Sequence, residues 1–89
     1  MAEKTGEIYK WLKELSKSNS STERDSNMMQ NLLRQLFLPN AVVTYGVVYP
    51  SGYGRSLSIN QMAKIVFEFI NIKDEKKALK YWNDFRERY

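Results

Sequence analysis

The chain contains no cysteine and no histidine. The first absence excludes a disulfide staple, and the two together remove the usual ligands of a zinc site, so neither a metal nor a cofactor is expected. Histidine is also the side chain most used in general acid–base chemistry. Acids are scarce where a carboxylate pair would need them: between Asp25 and Asp74 the only one is Glu68. No G-x-S-x-G, S-x-x-K or G-x-x-x-x-G-K-[ST] spacing occurs. The string Gly52-Tyr53-Gly54-Arg55-Ser56 imitates part of a phosphate loop without its spacing. The expectation is a protein that is not an enzyme.

Long apolar runs are missing too. The opening residues are charged within the first four, and nothing in them has the length of a signal peptide or a membrane span. This predicts an intracellular protein, cytoplasmic or associated with the nucleoid or nucleus, with no membrane partner. Of the 89 residues, 43% are hydrophobic and 27% charged, a balance that folds rather than remaining disordered. Residues 1–89 make one small domain, which buries a limited share of its surface and would gain from pairing with a second copy. A homodimer is therefore expected.

Charge is unevenly spread. Up to Asp25 the bases Lys4, Lys10, Lys13, Lys17 and Arg24 are balanced by Glu3, Glu7, Glu14, Glu23 and Asp25, so the whole net charge of +4 lies beyond that point. A polyanion or an acidic protein would be drawn there.

Apolar spacing predicts four helices. The first, about Gly6 to Ser16, places Ile8, Trp11, Leu12 and Leu15 on one face. Residues 17–22 form a polar loop that leaves this helix free to act as a mobile arm, although Trp11 is a large group to leave wet. Ser20 with Glu23 fits a capping box for the second helix, whose inner side carries Met28, Met29, Leu32, Leu33, Leu36 and Phe37 and which Pro39 closes. Ser58 with Gln61 opens the third, Ile59 to about Ile70, with Ile59, Met62, Ala63, Val66 and Ile70 in its stripe and Ile65, Phe67 and Phe69 broadening it. So wide an apolar surface predicts the centre of the core or a dimer seam. Asp74 caps the last helix, which sets Ala78, Trp82, Phe85 and Tyr89 inward and Lys76, Lys77, Lys80, Asp84, Glu87 and Arg88 outward. Lys80 with Asp84, and Asp84 with Arg88, are spaced to pair.

Between the second and third helices the pattern breaks. Ala41 to Tyr49 is rich in β-branched residues and reads as a strand, with Val43, Tyr45, Val47 and Tyr49 on one face. Pro50 to Gly54 is a turn by composition, and Arg55 to Leu57 could return as a short second strand. The fold class is thus mostly α with minor β: four helices with one β-strand or short hairpin between the second and third. The order strand, helix, turn, helix resembles in outline that of ribbon-helix-helix repressors, whose strands pair across a dimer axis and enter the DNA major groove. Pro50 to Leu57 and the two preceding helices depart from that pattern, so the likeness is one of element order alone. Neither strand face carries the Arg, Lys, Asn or Gln that read base edges.

Two functions fit these residues. Tyr45, Tyr49 and Tyr53 offer rings for stacking, Arg55 a fork for phosphate, and the glycines a close approach, which suits binding of nucleic acid, DNA or RNA. The expected interface is Tyr49, Tyr53 and Arg55, with Lys73, Lys76, Lys77 and Lys80 supplying general attraction. The alternative is a protein–protein interaction or assembly module, an inhibitor, adaptor or structural subunit, that sets the tyrosines, the apolar helix or an open strand edge against a larger protein. The blander possibility is that Tyr45 and Tyr49 face inward, that Arg55 pairs with Glu68 or a C-terminal acid, and that the lysines are a solvated helix face.

Overall fold

In the computed structural model, which describes residues 2–89 with side chains from Gly6 onward, the third predicted helix lies at the middle of the core. The charges expected on Glu3 and Lys4 lie outside the described side chains. The elements are α1 (Ala2–Lys17), α2 (Glu23–Gln35), β1 (Val42–Thr44), β2 (Val47–Tyr49), β3 (Leu57–Ser58), α3 (Ile59–Asn71) and α4 (Glu75–Arg88). The architecture is mostly α, with a small antiparallel sheet of order β1-β2-β3 between α2 and α3. Among the described residues no helix is long and apolar enough to cross a membrane.

α3 starts where Ser58 and Gln61 exchange the two hydrogen bonds of a capping box, as their spacing predicts. Ile59, Met62, Ala63 and Val66 are fully buried along it. Most of its wide apolar surface is covered within the chain, while Ile70 at its end stays exposed. α1 packs on one side, where Leu12 and Leu15 are buried and the Tyr9 and Phe67 rings meet at 4.7 Å, while Trp82 and Phe85 of α4 close the other. The breadth that suggested a dimer seam therefore has an explanation inside one molecule.

α1 is docked rather than loose. Trp11 donates from Nε1 to Asp25 Oδ1 at 2.8 Å, and the same carboxylate accepts the Thr22 N–H at 2.9 Å while Thr22 Oγ1 accepts the Asp25 N–H. The capping box of α2 is thus Thr22 with Asp25, in place of the expected Ser20 with Glu23. The shift follows from the added bond to Trp11, which only a carboxylate at position 25 receives. Asp74 caps α4 as predicted, accepting the N–H groups of Lys76 and Lys77.

The strand expected over 41–49 is folded on itself. Val42 pairs with Tyr49, Val43 with Val48 and Thr44 with Val47, and the two-residue turn between them is Tyr45-Gly46. Both turn residues have positive φ, 51° and 74°, the signature of the hairpin turn whose twist matches that of its strands. Tyr45 consequently leaves the face it was assigned and stands 99% exposed at the tip. The returning segment is β3, in which Leu57 pairs with Val48 and Ser58 with Val47.

This hairpin ends the likeness to ribbon-helix-helix proteins, because β1 has its partner within the chain. Its outer edge is closed as well. Gln30 Oε1 accepts the Val43 N–H at 3.0 Å, and Arg34 Nε donates to the Ala41 carbonyl at 3.2 Å. Side chains of α2 thus occupy two of the groups that a strand from a second copy would need.

Candidate functional site

Three segments meet at one end of the molecule. The first is the end of α2, where the Leu38 N–H reaches back to the Leu33 carbonyl at 3.1 Å and places Phe37 at the position after the helix cap, with φ 67°. Glycine usually fills that position because a Cβ is strained there. Phe37 fills it instead, and its ring is 60% exposed rather than on the inner side of α2 as expected. The adjoining carbonyl, Leu36, accepts the buried Trp82 Nε1 at 2.7 Å, which ties the end of α2 to α4.

The second segment is the loop 50–56. A turn closes where the Gly52 N–H meets the Tyr49 carbonyl at 2.9 Å, with Pro50 and Gly52 in the positions such turns favour. Gly52 has φ 87°, and a Cβ on it would lie 2.8 Å from the Asn40 carbonyl oxygen. The loop is therefore pressed against the segment that follows Phe37, at a residue that only glycine fits. Tyr53, next to it, is 79% exposed.

The last turn of α4 completes the site. Ser51 Oγ donates to the Tyr89 carbonyl, and Arg55 Nη1 reaches the Arg88 carbonyl at 3.5 Å, a long contact that leaves most of its donors free. Together the three segments enclose an open cleft of about 620 Å³, lined by Phe37, Asn40, Tyr53, Asn83, Arg86, Glu87 and Tyr89 among others. Among the described residues neither Arg55 nor Arg86 forms an ion pair, the single pair being Lys80 with Asp84 at 3.7 Å. The spacing of Asp84 and Arg88 does not produce a second one. Glu68, the expected partner of Arg55, instead accepts the Tyr81 hydroxyl at 2.8 Å. Burial and that neighbouring carboxylate push the Tyr81 phenol up to about 12.

Of the residues singled out in the sequence, the structure brings Tyr53 to the cleft and Arg55 to the helix end beside it. Tyr49 is half-buried in β2 opposite Val42 and does not line the cleft. Lys73, Lys76, Lys77 and Lys80 are exposed, but Lys76 sits about 15 Å from Arg86 along the helix axis, at the far end of α4. Phe37, Asn40, Asn83, Arg86, Glu87 and Tyr89 are among the cleft residues that the sequence did not single out for binding. The one signal for Phe37 was its place between the end of the α2 stripe and Pro39, where a chain-reversing residue is due.

The fold and the cleft together describe a small helical protein with an aromatic recess at one end, lined also by Arg86 and Glu87. No protein-family model, curated protein or solved structure matches the chain.

Proposed function

We propose that this protein is a binder of nucleic acid, which it meets at the cleft. The observation that carries the reading is the convergence of three rings, Phe37, Tyr53 and Tyr89, with Arg86 in the lining and Arg55 at the adjoining helix end, neither of which is held in an ion pair although Glu87 also lines the cleft. Rings accept bases whatever their identity, and a guanidinium fork matches phosphate. Arg55 and Arg86 meet phosphate, while Lys73, Lys76, Lys77 and Lys80 extend the positive field along α4. The test is titration of labelled oligonucleotides at two salt concentrations with the wild type and Arg55→Ala/Arg86→Ala. Binding that weakens with salt and weakens further in the variant is expected, and no binding at low salt would refute the reading.

One observation favours a second role. Tyr45 is fully exposed on a strained backbone, and the cavity beneath it is lined by uncharged residues such as Ser21, Thr22, Ser26 and Asn27, with Glu23. Such a tip suits a protein partner, whose binding would change little with salt.

A further inference from the structure

We infer that the cleft seats one unpaired base of a single strand, its ring continuing an aromatic stack built into the core. This rests on the nucleic-acid reading above and adds to it the form of nucleic acid that is bound. Phe69, Trp82, Phe85 and Tyr89 make a continuous series: successive centroids are 4.9, 5.3 and 4.8 Å apart, and each ring plane lies within 28° of the next. Trp82 and Phe85 are each only 1% exposed, so the series is anchored in the core. It ends on Tyr89, which is half-buried and lines the cleft.

The two exposed rings, Phe37 and Tyr53, line the same recess, and each stands on a backbone of defined shape. Phe37 is held at positive φ beside a carbonyl fixed by Trp82, and Tyr53 stands between Gly52 and Gly54, which have φ 87° and 80°. A cleft of about 620 Å³ has room for a base and its sugar. The exposed amides of Asn40 and Asn83 also line it, and each offers a donor and an acceptor to the edge of an unpaired base. Arg86 lines it beside Glu87, and Arg55 reaches the adjoining Arg88 carbonyl, which puts two guanidinium groups where flanking phosphates would run. In a duplex the faces of a base are covered by its neighbours and its edge by its complement, so entry requires unstacking and unpairing. The site therefore selects single strands.

The experiment is fluorescence anisotropy with a single strand of roughly a dozen nucleotides, its blunt duplex and free adenosine monophosphate. The single strand also carries 2-aminopurine at its centre, and the proteins are wild type, Tyr53→Phe, Tyr53→Ala and Tyr45→Ala. Wild type is expected to bind the single strand at least roughly tenfold more tightly than the duplex, and Tyr53→Ala to lose roughly tenfold on the single strand alone. Tyr53→Phe and Tyr45→Ala should bind like wild type, and 2-aminopurine emission should change on binding to wild type but not to Tyr53→Ala. Equal affinity for strand and duplex, with Tyr53→Ala harmless, overturns the base seat and leaves nucleic-acid binding standing. Failure to bind either at low salt overturns both. A mononucleotide that binds as tightly as the strand would support the seat and overturn its use on a polymer. Tyr53 is largely solvent-exposed, and a thermal melt checks that its removal leaves the fold intact.

Discussion

Two aromatic residues, Phe37 and Tyr45, occupy backbone conformations that favour glycine or asparagine, and both expose their rings. A left-handed residue with a Cβ costs about 1–2 kcal/mol. At position 45 nothing in the chain recovers that cost, because the ring is 99% exposed. Tyr45→Asn supplies the residue preferred at this turn position and should stabilise the fold by about 0.5–1 kcal/mol, read as a higher urea midpoint. A lower midpoint would show that the ring packs in a way the structure does not contain. The glycines give a paired comparison. At Gly54, φ is 80° with nothing within 4 Å of an added Cβ, so Gly54→Ala carries the backbone cost alone, about 1–2 kcal/mol. At Gly52 the same conformation is combined with a Cβ 2.8 Å from the Asn40 carbonyl, so Gly52→Ala should cost more than about 2 kcal/mol. Because that clash displaces the loop carrying Tyr53, it should weaken oligonucleotide binding as well.

Among the elements, the junction of α1 and α2 depends on one carboxylate. Burial alone would raise the Asp25 pKa, but hydrogen bonds from Trp11 and from Thr22, with Arg24 nearby, outweigh it and hold the group below the ordinary aspartate range. A carboxyl depressed in the folded state stabilises that state above its unfolded pKa, about 4, and the contribution is lost as pH falls through the folded value. The urea midpoint of the wild type should therefore drop between about pH 4 and pH 2 by more than that of Asp25→Asn, which should already be less stable at neutral pH. Parallel curves would remove Asp25 from its role at this junction. The helices themselves were legible because each carries an apolar stripe at helical spacing, and α3 and α4 announce their starts with Ser58 and Asp74. The hairpin was hidden by Tyr45: an asparagine before Gly46 would have marked the turn, whereas a tyrosine among valines reads as a continuing strand. The capping box of α2 was misplaced by two residues because its choice depends on Trp11, fourteen positions away. The cleft was legible only in Tyr53 and Arg55. Phe37 and Tyr89 join them through the Trp82 and Ser51 hydrogen bonds, which span 46 and 38 residues and leave no local pattern.

Across the whole molecule, α4 separates two groups of positive charge, with arginines toward the cleft and Lys76 and Lys77 about 14–15 Å away near the other end, Lys80 lying between at about 9 Å. At physiological salt the screening length is about 8 Å, so the lysines assist a strand chiefly where the strand reaches them. A stacked strand advances about 3.4 Å per nucleotide, and the gap corresponds to four or five nucleotides by that measure. Oligonucleotides of about three nucleotides should then feel the arginines alone. For these, Arg55→Ala and Arg86→Ala should each flatten the slope of log affinity against log salt by about 0.7, while Lys73→Ala/Lys77→Ala should leave it unchanged. With strands of about ten nucleotides the lysine variant should flatten the slope too. Lys80→Ala should have the smallest effect of the basic substitutions, because Asp84 already holds that ammonium at 3.7 Å. Slopes that respond to the lysines at every length, and to neither arginine, would move the phosphate path to the opposite end of α4 and detach it from the cleft.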